Sequence, residues 1–223
     1  FKVPPALEIL TTDANNGVIN AQYALGSIYH YGQGVAPDYN EALKWYQLAE
    51  KLGHSSVKSS IYRLAEFKVS AASEILINDA NNGIANAQLI LGELYQNGQG
   101  IPQDYNEAFK WYQLAEKLGH SSAKSKIYSL AQFKVPPALE ILTTDANNGV
   151  ANAQFALGNI YHNGKGIPLN FNEAFKWYQL AAGQGHVPAK SNIYSLAQFK
   201  VSSASEILTN DANNGIAKAQ LIL

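Results

Sequence analysis

Apolar residues recur three or four positions apart along almost the whole chain. This spacing places them on one face of an α-helix, with polar residues on the other face. No segment alternates apolar and polar residues over a sustained length, so no β-strand is predicted. The pattern therefore predicts an all-α protein. Two representative sets are Ala42, Trp45, Tyr46, Leu48, Ala49 and Leu52, and Ala72, Ile75, Leu76 and Ala80.

Glycines divide this pattern into four helices, which we call A to D. A glycine just past the end of a helix adopts the left-handed conformation that closes the last turn. Gly32 and Gly34 follow helix A, Gly53 follows helix B and Gly83 follows helix D. The predicted bounds are residues 21–31 for helix A, 39–52 for helix B, 56–67 for helix C and 71–81 for helix D.

Capping residues and prolines mark the helix starts. Asp38 lies three residues before Glu41, which is the spacing of a capping box, and the same spacing begins at Asn170. Pro5 and Pro188 suit the first turn of a helix, where a missing N–H costs no hydrogen bond. These residues fix the direction and the approximate start of each helix.

The helical pattern returns every 66 residues, and all three tryptophans keep this step. Residues 1–18 and 133–150 are identical, whereas residues 67–84 match 199–216 with two substitutions. Two versions of the unit therefore alternate over 132 residues. We expect one continuous array over 1–223, cut from a longer array. Its units are residues 1–66, 67–132, 133–198 and a partial copy at 199–223.

Each predicted helix has about 11 to 14 residues and is marginally stable alone in water. The apolar face of each helix pair needs a neighbouring pair to cover it. The sequence therefore predicts an α-solenoid, a stack of antiparallel helix hairpins with a 66-residue unit of four helices.

Helices A and B resemble the Sel1-like repeats of the tetratricopeptide superfamily, and helices C and D look like a shortened second repeat. The resemblance implies a right-handed α-solenoid that acts as a scaffold or adaptor for protein complexes. Many bacterial members of the family are secreted or associated with the envelope. The matching residues in the second unit are Ala87, Leu91, Gly92, Tyr95, Gly98, Gly100, Asp104, Ala108, Trp111, Tyr112, Ala115 and Gly119.

The composition limits the classes of partner. A formal net charge of −1 gives no whole-chain attraction to nucleic acid or to an anionic membrane. The chain has no cysteine, which excludes disulfides and thiolate metal sites. No apolar run approaches the roughly 20 residues of a membrane span. We therefore expect no cofactor, no nucleic acid and no membrane insertion. A secreted or cell-surface location is favoured, and a cytoplasmic one stays open.

Catalytic and metal sites are weighed against simpler roles. His54, His120 and His186 each follow the glycine after helix B, but a step of 66 residues separates them too far to share one metal. A polar group near a helix C-terminus is the simpler account. The segment from Asp13 lacks the alternating oxygen ligands and closing glutamate of a calcium loop. No Ser-His-Asp or paired-carboxylate constellation is present, so a non-enzymatic role is predicted.

Trp45 and Tyr46, with their copies, have two interpretations. As a repeated aromatic pair they could stack nucleic-acid bases. Their helical spacing and the absence of interleaved basic residues favour packing in the core instead.

One face of helix A carries the candidate partner-binding residues, because its side chains differ between units. If the geometry of the family holds, this face lines the concave groove of the solenoid. An ordinary solvated or inter-helix surface explains the variation equally well. The candidates are Tyr23, Ser27 and His30, then Leu89, Glu93 and Gln96, then Phe155, Asn159 and His162.

Two functions from different classes follow. The first is a scaffold whose groove binds a protein partner. The second is a structural filament on a cell surface, built from near-identical repeats by end-to-end self-association. Near-identity of the units favours the filament, since a binding groove usually diversifies along its length. The partner is therefore expected to be a protein or further copies of this chain.

Overall fold

A computed structural model describes residues 5–222 of the chain. Within that range the regular elements are 14 α-helices and three short 3₁₀ segments, and none is a strand, so the all-α prediction is confirmed. Phe1, Pro4 and Leu223, which take part in the predicted repeat pattern, lie outside these residues.

The chain forms two compact units, of which the first ends at Ser121 and the second begins at Ser122. The helices of the first are α1 (Pro5–Asn15), α2 (Ile19–Tyr31), α3 (Tyr39–Lys51), α4 (Val57–Arg63), α5 (Ser70–Asn81), α6 (Ala85–Asn97) and α7 (Tyr105–Lys117). Those of the second are α8 (Ala123–Leu130), α9 (Pro136–Asn147), α10 (Ala151–Asn163), α11 (Phe171–Gly183), α12 (Val187–Leu196), α13 (Ser202–Asn213) and α14 (Ala217–Gln220).

Helices A, B and D lie within two residues of their predicted bounds, but helix C is shorter than predicted. The α-helical part of the first copy ends at Arg63, and residues 64–67 continue as a 3₁₀ helix. Lys68 then takes the left-handed conformation, with φ of 60°, and Val69 is extended. The tighter turn lets the chain reverse into α5 without a glycine.

Antiparallel helices A and B pack closely because a glycine faces a tyrosine. Tyr46 is fully buried, and a Cβ atom added to Gly26 would lie 2.5 Å from Cδ1 of its ring. Gly92 lies equally close to the ring of Tyr112. The leucine-glycine step of helix A is therefore a contact surface for the tyrosine of helix B. Trp45 is buried with it, which confirms the core interpretation of this aromatic pair.

Of the two hydrogen bonds in each predicted capping box, only the one from the backbone to the capping side chain forms. The Asp38 carboxylate accepts hydrogen bonds from the backbone N–H groups of Asn40 and Glu41, at 3.1 and 3.0 Å. The backbone N–H of Asp38 donates to the carbonyl oxygen of Tyr29 at 2.9 Å. Glu41 is therefore not needed as its acceptor, and pairs with Lys44 at 3.2 Å instead.

A glutamine at the start of each helix A closes the end of the preceding helix D. The Nε2 group of Gln88 donates to the carbonyl oxygen of Ala80 at 3.0 Å. Gln22 and Gln154 make the same bond to their own upstream alanines at 3.1 Å. Each of these carbonyl oxygens also accepts the backbone N–H of the glycine that ends helix D, so the amide is its second donor and ties helix A to the end of helix D. This bond explains why a glutamine recurs at this position in successive units.

Helices C and D are joined by a repeated cluster of lysine, aspartate and tyrosine. In the first copy the Tyr62 hydroxyl donates to Oδ2 of Asp79 at 2.7 Å, and Lys58 Nζ lies 3.1 Å from the same oxygen. The cluster recurs at Lys124, Tyr128 and Asp145 and again at Lys190, Tyr194 and Asp211.

Candidate ligand-binding face

The second and third candidate positions on helix A surround the hydroxyl group of a buried tyrosine. In the first hairpin the Tyr46 hydroxyl donates to Oγ of Ser27 at 3.3 Å, and Nδ1 of His30 lies 3.3 Å from the same hydroxyl. His30 is only 4% exposed. These side chains therefore connect the two helices of their own hairpin.

The other two hairpins use different acceptors for the same hydroxyl. The Tyr178 hydroxyl donates to Oδ1 of Asn159 at 2.8 Å, with Nδ1 of His162 at 3.2 Å. The Tyr112 hydroxyl donates to Oε1 of Gln96 at 2.8 Å. Part of the variation along helix A is therefore a change in which polar side chain bonds to the hydroxyl of the same buried tyrosine. Their role in binding a partner stays a prediction.

Burial sets the charge state of this polar cluster. It raises the pKa of Tyr46 and of Tyr178 to about 12. Burial also lowers the pKa of His30 and His162, although the nearby Glu66 carboxylate acts in the opposite direction on His30. At neutral pH the hydroxyls are therefore protonated and these imidazoles uncharged, which suits hydrogen bonding between neutral groups.

The first candidate positions on helix A pack against the histidines that follow helix B. The rings of Tyr23 and His54 stack with centroids 4.2 Å apart, and those of Phe155 and His186 lie 4.4 Å apart. Leu89 is only 7% exposed. His54 and His186 thus each pack against helix A of their own hairpin.

His186 acts at the start of the following helix, and not at the end of helix B as predicted. Its Nδ1 accepts a hydrogen bond from the backbone N–H of Ala189 at 3.3 Å, so it caps the start of α12. Sequence reasoning had assigned it to the end of the helix before. Pro188 lies in the first turn of this helix, as predicted.

Residues 5–222 contain no group of three or more histidine, cysteine, aspartate or glutamate side chains that could hold a metal ion. In the same part of the chain, no helix has both the length and the apolar character needed to cross a bilayer.

A groove of about 470 Å³ lies between α8 and α10, in the second compact unit. It includes two of the candidate residues, Phe155 and Asn159, and several residues that sequence reasoning missed. Three of the missed side chains are uncharged amides and one is a lysine. The lining includes Gln132, Asn152, Phe155, Asn159, Asn163 and Lys165.

The Sel1 repeat profile matches residues 19–54, 85–120 and 151–186. These ranges contain the hairpins α2–α3, α6–α7 and α10–α11, each with the glycine–tyrosine contact described above. The chain is a Sel1-repeat protein.

Known Sel1-repeat relatives and structures resemble the chain at moderate identity. Chitin synthase regulator SKT5 of Saccharomyces cerevisiae is 29% identical over 188 residues, which cover 74% of this chain and 27% of that protein. DAP3-binding cell death enhancer 1 of Mus musculus is 27% identical over 204 residues, covering 88% of this chain and 34% of that protein. The chain thus spans only about a quarter to a third of these relatives.

The crystal structure of a Sel1 repeat protein from Oxalobacter formigenes superposes with a TM-score of 0.54 at 22% identity, and covers 97% of this chain and 68% of that one. This likeness supports the fold of the Sel1-repeat protein. The names of the two relatives describe a regulator and a binding protein. They give no support to the filament hypothesis.

Proposed function

We propose that this Sel1-repeat protein is a non-enzymatic scaffold that binds a protein partner through the helix-A side of its hairpins. The observation that carries the proposal is that the glycine–tyrosine contact is constant whereas helix A varies, and that two of the varying residues, Phe155 and Asn159, line a groove. The contact of Gly26 with Tyr46 recurs in both later hairpins. At the position of Tyr23 the later hairpins instead have a leucine and a phenylalanine.

The chemistry of the chain supports a protein partner. A formal net charge of −1 offers no general attraction for the phosphates of nucleic acid. Related Sel1-repeat proteins are named as a regulator of chitin synthase and as a binding protein, and both names fit a role in protein interaction.

The test presents the immobilised chain to soluble proteins of its source organism and measures saturable capture. The variant Asn86→Arg with Asn152→Arg places bulky charges on helix A of the second and third hairpins. The control, Gln113→Arg with Gln179→Arg, makes the same change of amide to arginine on helix B. We expect the first variant to lose at least tenfold in partner affinity and the control to retain it.

Equal capture by both variants would move the binding surface away from helix A. Failure of the unaltered chain to capture any protein saturably would refute the scaffold itself.

A further inference from the structure

The groove between α8 and α10 has a counterpart one unit earlier, the interface between α4 and α6, and we call the α4–α6 interface the first groove and the α8–α10 groove the second groove. Adding 66 to a residue number in the first gives its counterpart in the second. Tyr62 and Tyr128 are such a pair, and both donate to an aspartate of the following helix D. The two grooves share this frame but differ in the side chains that line it.

The first groove is bridged by ion pairs. Arg63, the one arginine of the sequence, lies with Nη2 2.6 Å from a carboxylate oxygen of Glu93 on the opposite helix. Its Nη1 lies 3.0 Å from Oε1 of Glu66. The guanidinium thus joins α4 to α6 and uses its planar donors on two carboxylates.

Other polar groups of the first groove also bond to one another. The amide of Asn86 donates to Oγ of Ser59 at 2.9 Å, across from α6 to α4. The amide of Asn97 donates to Oε1 of Gln99 at 3.0 Å. The hydrogen-bonding capacity of these groups is largely used within the groove.

The second groove lacks the ion pair that joins the two helices of the first groove. Ser129 takes the place of Arg63, and its hydroxyl donates to the carbonyl oxygen of Lys126 at 2.7 Å on its own helix. Asn159 takes the place of Glu93, and Tyr178 and Asn192 donate to its Oδ1, which leaves the Nδ2 group as a donor. No arginine spans from α8 to α10.

The remaining amides of the second groove have no hydrogen-bond partner. Among the described residues, neither Gln132, Asn152 nor Asn163 donates to or accepts from another side chain or the backbone. Lys165, at one end, makes no ion pair within the same part of the chain. Each of these groups has a counterpart in the first groove that does make a bond.

We propose that the second groove, and not the first, binds an extended peptide segment of the protein partner. The inference rests on the proposed scaffold function and locates its binding site. Side-chain amides carry a donor and an acceptor, and so match the backbone of an extended peptide. Asn152 and Asn163 are 11 positions apart on α10, about 16 Å along the helix axis, which is the length of roughly five extended residues.

Charge and shape define the peptide further. Of the groove residues named above, only Lys165 is charged, whereas the first groove carries two carboxylates and one guanidinium. The second groove therefore suits an uncharged segment with an acidic group at the Lys165 end. Between the amides, Phe155 and Ala156 offer apolar contact for one or two side chains.

An oligosaccharide fits the groove less well. Sugar rings stack on a flat aromatic face, but one face of Phe155 is covered by His186 at 4.4 Å. Tyr128, the other aromatic residue of the groove, is only 4% exposed. The groove thus offers amides and an aromatic edge but no open stacking platform.

A reciprocal exchange between the grooves tests the proposal. The closing variant, Ser129→Arg, Gln132→Glu and Asn159→Glu, copies the ion pairs of the first groove into the second. The opening variant makes the reverse changes at 63, 66 and 93 and is the matched control. The probe is a displayed library of random heptapeptides, selected on the unaltered chain.

We expect the selected heptapeptides to bind the unaltered chain and the opening variant, and to lose at least tenfold in affinity for the closing variant. Binding should also shift the side-chain amide NMR signals of Gln132, Asn152 and Asn163. Circular dichroism and thermal unfolding check that the closing variant is folded. The single substitution Asn152→Arg, at an exposed position, provides a second test if it is not.

Four results would overturn the proposal. The closing variant could bind the heptapeptides as tightly as the unaltered chain does. Selection could enrich no peptide, or an oligosaccharide array could bind where the peptides do not. If the closing variant still captures the protein partner, the groove is wrong while the scaffold function stands. Loss of saturable capture by the unaltered chain refutes the scaffold function instead.

Discussion

At the scale of single residues, one tyrosine in each Sel1 hairpin determines most of the local packing. The Tyr178 ring covers Gly158 on the facing helix, and its hydroxyl bonds to Asn159 and His162. The ring and the hydroxyl of this tyrosine restrict helix A differently. The ring requires a residue without a side chain, whereas the hydroxyl accepts several kinds of polar neighbour. This difference explains why the glycine is constant and the polar positions vary.

The glycine contact predicts opposite effects for two helical glycines. In Gly158→Ala the new Cβ would lie 2.6 Å from the Tyr178 ring, so we expect a loss of about 1–3 kcal/mol in the free energy of unfolding. Gly183 is also helical but has nothing within 4 Å of that position. Gly183→Ala should therefore gain up to about 1 kcal/mol. Urea unfolding of both variants measures the difference, and equal effects would contradict the packing argument.

Buried His30 and half-buried His162 predict a fold that loses stability in acid. In the unfolded chain their pKa is about 6.5, and burial lowers the pKa of His30 and His162 in the folded state. The unfolded state therefore binds protons first as the pH falls. The contribution to stability is complete above about pH 6.5 and is lost below it, down to the folded pKa.

The middle hairpin supplies the matched variants for this prediction. Gln96 accepts from Tyr112 where the other hairpins use histidine. The double variant His30→Gln with His162→Gln should lose less stability between pH 7 and pH 5 than the unaltered chain. Gln96→His should lose more. Urea unfolding at pH 7, 6 and 5 measures both slopes. Parallel slopes for all three proteins would show that these imidazoles do not control the effect.

At the scale of helices, the sequence predicts the elements whose ends have local signals. Asp38 begins helix B as predicted because its carboxylate bonds to backbone groups two and three residues away. The role of Gln88 has no local signal, because its acceptor lies on another helix. The 3₁₀ end of helix C escaped prediction for a related reason. Its last turn precedes Lys68, a residue type that gives no local signal for a left-handed conformation.

The left-handed lysines predict a gain in stability on substitution by glycine. Lys134 has φ of 59°, a conformation that costs a residue with a Cβ atom roughly 1–2 kcal/mol. Glycine removes that cost but loses more chain entropy on folding, by about 0.5–1 kcal/mol. We expect Lys134→Gly to gain about 0.5–1 kcal/mol in thermal or urea unfolding.

Lys134→Ala is the control, since it removes the charge and keeps the Cβ atom. It should leave stability nearly unchanged. An equal gain from both variants would assign the effect to the loss of charge.

At the scale of the whole molecule, the helical pattern predicts the all-helical fold and the motif resemblance predicts the Sel1 family, but of the second groove only Phe155 and Asn159 are predicted. The bridge of the first groove joins Arg63 to Glu93, which lie 30 positions apart and meet only when helices C and A pack together. The sequence does show that Ser129 stands one unit after Arg63. It does not show which residue on the facing helix loses its ion-pair partner as a result. One continuous array over 1–223 and the 66-residue unit of four helices stay predictions.

The glutamine that closes helix D has a consequence for dividing the protein into modules. The amide of Gln88 completes a helix that ends before its own Sel1 repeat begins at residue 85. A segment cut at that repeat boundary would leave the carbonyl oxygen of Ala80 with the backbone N–H of Gly83 but without the amide of Gln88. A segment carried on through the first turn of α6 would keep both donors. Modules meant for transplantation into other helical arrays should therefore overlap by one turn rather than abut.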